Sequence, residues 1–295
     1  MMRQPTALDK VSTAEISDGP YPPCGFQPFY EAELGNGDYF GLYWPIGMED
    51  AEPVVCDMIH DEWRIEPAFS NLDTFLNWLE LNKGERGESP VEDDEMALNR
   101  FNKARSALRN NEPSLAIQHL RAACKQLPEV SAYWLLLATQ CFRLGDDDAG
   151  AHAAVQAYCS NWAFGIPSDN VFRVLRRASR VSKYKDDPLL KRLDEFDLKF
   201  GGTKENRNYP IMLAVVEDYL RTQPVLALRL HQNFAYMMTT ETGSFQARYG
   251  FELDAWRREH EELREQHFMH GGASIKSCAS STLDLTDCSD LAALG

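Results

Sequence analysis

Gly35-Asn36-Gly37-Asp38-Tyr39-Phe40-Gly41-Leu42-Tyr43-Trp44 reads as a tight turn running directly into a strand. Glycine and asparagine tolerate the positive φ that such a turn needs, and Asp38 reads as a turn-former. The residues after it are rich in the aromatic side chains that suit a pleated, half-buried surface. Pro45 and Gly47 end this strand. Residues 53–59 make a second strand, His60-Asp61-Glu62 a polar turn, and the alternating Trp63-Arg64-Ile65-Glu66 a third. Leu72, Phe75, Leu76 and Leu79 then fall at i, i+3, i+4 and i+7, which predicts a short amphipathic helix over residues 71–81 with Ser70 as its N-cap.

Outward from this segment the character changes on both sides. Upstream, residues 1–28 are aperiodic, with Pro20-Tyr21-Pro22-Pro23 in their second half, and read as an extended Pro-rich arm. Downstream, residues 83–94 are charged and read as an acidic linker. Nearly everything from 95 to 270 carries helical periodicity, punctuated by Gly or Pro; the expected helices are 96–110, 113–127, 130–144, 147–162, 167–181, 188–200, 210–223, 225–242 and 244–270. Residues 271–295 are small and Ser-rich, and read as a flexible tail.

An internal period of 34 runs through the first helices. Ala104, Ala107, Leu120 and Ala123 recur as Ala138, Cys141, Ala154 and Ala157, and Ala116 recurs as Gly150. Small residues at these positions let paired helices approach closely. With Trp134, Leu137 and Pro128, the pattern over residues 97–162 resembles tetratricopeptide repeats, whose arrays imply a concave protein-binding face. A plain antiparallel helix pair with small contact residues is the alternative.

Charge divides the chain sharply. Residues 1–94 hold 5 Lys and Arg against 20 Asp and Glu, while residues 95–295 hold 25 of each, so the net charge of −15 sits in the first third. An acidic surface repels phosphate backbones, which argues against direct nucleic-acid binding there. It would attract a basic partner, or serve only to keep the protein dissolved. The seven cysteines include no C-x-x-C pair, and Met1 to Asp18 has no apolar run behind a basic start. Reduced thiols, a cytoplasmic location and no membrane association are therefore expected.

The Gly-Asn-Gly-Asp turn, the strand Pro53-Val54-Val55 and the run Phe69-Ser70-Asn71-Leu72-Asp73-Thr74-Phe75-Leu76 together resemble the SUKH superfamily of SMI1/KNR4-like domains over residues 29–82. Where that family carries a helix pair before the turn, only the Pro-rich arm stands here. The resemblance implies an α+β chain: a small antiparallel β-sheet module followed by a mainly α-helical, tetratricopeptide-like domain. It also implies an immunity protein that binds and neutralises a cognate bacterial toxin, a basic nuclease effector of an interbacterial secretion system. The alternative is a protein-binding scaffold or adaptor with no toxin. Candidate toxin-binding or module-defining residues are Gly35, Asn36, Gly37, Asp38, Tyr39, Tyr43, Trp44, Glu49, Asp50, Asp57, Asp61, Glu62 and Trp63; the aromatic ones compete with a role in the core.

Nothing in the sequence assembles a catalytic motif, so no enzyme and no cofactor are expected. His267 and His270 stand at i, i+3, a weak signal for a metal, and no metal site is expected. Arg173, Arg176, Arg177 and Arg180 share one helical stripe, which reads as a solvated or ion-paired face. With Lys183 and Lys185 they form a basic cluster, for which a nucleic-acid site, or a contact with the acidic module within one chain or across a homodimer, are the alternatives.

Overall fold

The structure, a computed structural model, describes residue 11 and residues 23–31, 37–62, 64–83, 93–196 and 208–268. Four strands form an antiparallel meander in the order β1 (Phe26–Glu31), β2 (Tyr39–Tyr43), β3 (Val54–Ile59) and β4 (Arg64–Phe69). The period-two alternation of β2 separates its side chains cleanly. Phe40, Leu42 and Trp44 join Val55 and Phe69 on the face covered by helix α1 (Leu72–Leu81), where Phe75 is fully buried among aromatic rings. Tyr43 points the other way and joins Val54, Cys56, Met58 and Ile65 in a core shared with the downstream helices. A register shift opposite Val55 and Cys56 turns β4 over, so that Ile65 and Phe69 serve opposite faces.

The sheet therefore lies between α1 and the helical region, and the expected α+β class is the observed one. Two readings need correction. The extended arm does not reach residue 28: β1 begins at Phe26, with Pro28 tolerated because this is an edge strand whose outer N–H groups need no partner. The cap of α1 is Asn71, whose Oδ1 accepts from Thr74 N at 2.9 Å, while Ser70 N donates to Asp93 Oδ2 at 2.6 Å.

The helical region builds by pairing neighbours along the chain. Helices α2 (Ala97–Arg109) and α3 (Pro113–Gln126) pack together, as do α4 (Ser131–Arg143) and α5 (Asp147–Tyr158), and α6 (Asn170–Ala178) adds to them. All nine small or apolar positions named above in the 34-residue period, from Ala104 to Ala157, are buried, and so is Gly150. At Gly150 the reason is direct: a Cβ would lie 2.5 Å from the Phe142 ring of α4. Gly41 shows the same constraint in the sheet, where a Cβ would lie 2.2 Å from the Phe26 ring on β1.

Beyond α6 the chain departs from the expected helices. Among the described residues of the helix expected over 188–200, which end at Phe196, only α7 (Pro188–Lys191) is α-helical, followed by a 3-10 turn at Leu193–Glu195. Next come α8 (Asn208–Leu220) and α9 (Pro224–Met238). The long last helix expected over 244–270 is two helices, α10 (Gly243–Arg248) and α11 (Leu253–Phe268). The break falls at Gly250, whose φ of +62° takes the backbone out of helical space.

Candidate functional site

A buried polar node joins the sheet to the helices. Glu129, just ahead of α4, is 0% exposed and gathers donors from three parts of the chain. The Tyr43 hydroxyl at the end of β2 donates to its Oε2. Ile46 N donates to Oε1 at 2.7 Å, and Arg229 Nε of α9 donates to the same oxygen at 3.2 Å. Asn161 Nδ2 reaches both Oε2 and the Tyr43 hydroxyl, at 3.2 and 3.1 Å. Arg229, itself 2% exposed, also donates to Pro128 O and Gln156 Oε1. Burial and the neighbouring carboxylate push the Tyr43 phenol well above its ordinary pKa, so it stays protonated and donates. The node is a structural clamp with its charges paired and its hydrogen bonds satisfied.

A second buried group lies between α9 and α11. The His231 and His260 rings stack with an interplanar angle of 5° and their Nδ1 atoms 3.0 Å apart, so one ring donates and the other accepts. Trp256 stacks on His260 and donates from its indole to His231 O at 3.2 Å. Glu259 lies 3.8 Å from His231 Nε2. Burial, then His231 and Arg264, hold the His260 pKa well below the usual histidine value. Further along α11, Arg264 reaches Glu49 at 3.6 Å, which fixes the helix to the loop after β2.

The open surface is different in kind. The first helices of the two pairs, α2 and α4, and the added helix α6 line a groove of about 810 Å³. From α2 come Phe101, Arg105, Leu108 and Arg109; from α4, Ala132, Leu135, Leu136, Thr139 and Phe142; from α6, Asn170, Arg173, Val174 and Arg177. Each set follows the i, i+3 or i+4, i+7 spacing of one helix face. The floor is apolar and the walls are cationic. Arg177 is held, with its guanidinium 4.5 Å over the Phe142 ring and 2.9 Å from Asp147. Arg105, Arg109 and Arg173 are exposed, and no carboxylate of the described residues forms an ion pair with them.

The candidates named from sequence do not come together. Gly35, Asn36 and Trp63 lie outside the described residues, as do His270 and the 271–295 tail. Tyr43 and Trp44, at 0% and 7% exposure, belong to the core: one is bound into the Glu129 node and the other donates to Ala51 O. Neither is available to a partner. The meander places Gly37, Asp38, Tyr39, Asp61 and Glu62 at one end of the sheet, and Glu49 and Asp50 at the other. Asp57 sits mid-strand, half-buried, opposite Phe40 and Glu66. Glu62 is tied to Arg64 at 3.0 Å and Glu49 to Arg264. The arginine stripe splits too: Arg173 and Arg177 face the groove, and Arg177 pairs with Asp147 of α5 rather than with the acidic sheet. The signal for the groove was present in the i, i+4 spacing of Arg105 and Arg109 and of Arg173 and Arg177. That helices 68 residues apart share one wall is a tertiary fact.

Among the described residues no three His, Cys, Asp or Glu side chains are grouped as metal ligands, and no helix is long and apolar enough to cross a membrane. Two family descriptions match the chain: the YfbP N-terminal domain over residues 11–88 and the YfbP C-terminal domain over residues 199–268. A relative, "Uncharacterized protein YfbP" of Escherichia coli (strain K12), is 46% identical over 258 residues, spanning 86% of this chain and 92% of the relative.

Proposed function

The chain belongs to the YfbP family, and from that premise we propose that it is a non-catalytic protein-binding module whose working surface is the α2–α4–α6 groove. The observation that carries this reading is a groove floor that includes the half-buried Leu135 and Leu136, flanked by exposed arginines that no described carboxylate pairs with. Apolar surface of this kind gains free energy by leaving water, and guanidiniums that no described carboxylate answers add orientation through forked hydrogen bonds to an incoming carboxylate. The groove lies between the two family-matched ranges, inside the span of the chain that α2 to α6 occupy. The sheet, clamped through Glu129, holds the start of α4 in place.

The sign of the groove charge favours an acidic partner segment. Neutralising a toxin is a narrower form of the same function, and it too would run through the groove. The basic nuclease suggested by the acidity of residues 1–94 would instead need the carboxylates at the two ends of the sheet, which the fold keeps apart. Photocrosslinking tests the choice. A photoreactive residue at exposed Ala132 in the groove, and another at exposed Asp61 on the sheet, are each introduced into the full chain in its host. Crosslinks from Ala132 alone support the groove as the working surface. Crosslinks from Asp61 alone sink it and return the acidic end of the sheet. Co-expression with a neighbouring toxin gene, scored by growth rescue, decides the narrower form.

A further inference from the structure

Resting on the groove as the binding surface, we infer that its resident ligand is a segment of the same chain, residues 283–294, which a partner must displace. That segment reads Leu-Asp-Leu-Thr-Asp-Cys-Ser-Asp-Leu-Ala-Ala-Leu. It carries Asp284, Asp287 and Asp290 at intervals of three and no Lys or Arg, the last cation before it being Lys276. Its four leucines, Leu283, Leu285, Leu291 and Leu294, stand on either side of the Asp287 to Asp290 stretch. The groove is the chemical complement: Arg105, Arg109 and Arg173 stand exposed around a floor of Leu135, Leu136 and Val174. No described carboxylate answers those three guanidiniums.

Reach is sufficient. Phe268, the last residue of α11, packs against Gly47, its ring 3.6 Å from where a Cβ on that glycine would lie. Gly47 follows Ile46, whose amide is 2.7 Å from the Glu129 carboxylate, and α4 starts two residues after Glu129. The end of α11 and the start of a groove-lining helix are thus a few residues apart in space. The 13 residues of α4 span about 20 Å. The 15 residues from Phe268 to Leu283 can extend over about 50 Å, so the segment reaches the whole groove. A tethered ligand works at an effective concentration on the order of millimolar, so a weak intrinsic affinity is enough to occupy the site. A partner that binds without the tether then competes against it, which sets a threshold on partner affinity.

The test uses the full chain and a labelled synthetic peptide of residues 280–295, followed by fluorescence anisotropy. D284N/D287N/D290N in the full chain removes the competing charges and leaves the described helices untouched. The peptide is expected to bind this variant at least tenfold tighter than the unaltered chain. Adding R105E/R173E should abolish that binding, with R105Q/R173Q as the milder pair if the reversal lowers the melting temperature. Equal binding with and without the tail substitutions overturns self-occupancy. Peptide binding that survives R105E/R173E overturns the site. No peptide binding to any variant overturns the segment as ligand; crosslinks from Ala132 to another protein would then leave the groove's binding function standing.

Discussion

Tyr43 and Trp44 are neighbours in the chain, and the sheet buries both: one turns into the Glu129 node, the other under α1. Leu135 and Leu136 are also neighbours, and both line the groove with nothing described over them. The two regions use the same apolar chemistry with opposite outcomes. In the sheet, period-two alternation offers a face to each side, and the chain supplies a cover for each. In the helical array, faces of α2, α4 and α6 border a groove that no described element fills. Aromatic content therefore marks packing in the first region, while half-buried leucines beside arginines with no described carboxylate partner set the proposed binding surface apart in the second.

The difference can be broken hardest at the clamp. Glu129→Ala should cost about 3–5 kcal/mol, because it leaves the Arg229 guanidinium buried without its carboxylate and strips an acceptor from Tyr43 and Ile46. Since sheet and helices share one core cluster, both should melt together. Urea unfolding followed by tryptophan fluorescence and by far-UV circular dichroism should give coincident transitions at a lowered midpoint. Separate transitions would mean that sheet and array are independent units. Replacing both partners by apolar residues, Glu129→Leu with Arg229→Met, should recover part of the loss, since no charge then stays unpaired.

Gly150→Leu comes next, at about 1–3 kcal/mol from overpacking. The new side chain must push the Phe142 ring, which is both the wall of the groove and the platform under Arg177. Stability and groove binding should fall together in this variant. A loss of stability with unchanged binding would show that the groove tolerates movement of that wall.

Much of this architecture was legible from local chemistry. Strands β2 and β3, α1 and α2 to α4 follow from alternation and 3.6-residue periodicity, and the structure places them within a residue or two; α5, expected to reach residue 162, stops at Tyr158. The misses have local causes. Pro28 interrupts the pattern of β1, and only its edge position makes it acceptable. Ser70 and Asn71 are both good caps, and the helix starts at Leu72, which puts Asn71 rather than Ser70 in the capping position. The stretch from 244 to 270 is periodic on both sides of Gly250, so the break depends on one backbone angle. The candidate site was the least legible part. Burial of Tyr43 depends on Glu129, 86 residues downstream, and a turn-and-strand motif carries no information about which face will be covered.

Acid should probe the C-terminal side of the clamp. His260 is buried and its pKa is depressed, so the folded chain resists its protonation while the unfolded chain accepts it at the ordinary value. As pH falls below about 6.5 the unfolded state binds the extra proton and stability declines, by up to about 1.4 kcal/mol per pH unit, until the folded-state pKa is reached. The groups facing the ring set the direction: His231 and Arg264 disfavour a second positive charge, and Glu259 lies beyond His231. His260→Gln should flatten the decline between pH 6.5 and 5 in chemical denaturation. An unchanged slope would place the acid sensitivity elsewhere.

The smallest effect on stability should come from the groove itself. Arg105 and Arg173 are exposed, pair with no described carboxylate and sit near two further guanidiniums, so their mutual repulsion is a slight cost to the fold. R105E/R173E should therefore shift stability by no more than about 0.5 kcal/mol, and at low salt the shift should be toward greater stability. Binding through the groove should nonetheless be lost. A single charge placed in the sheet core, as in Val55→Glu, would do the reverse, removing the fold because Val55 is fully buried under α1. If R105E/R173E instead destabilises the chain as a core charge does, those arginines are holding the array together, and the groove is a seam of the structure rather than a surface kept open for a ligand.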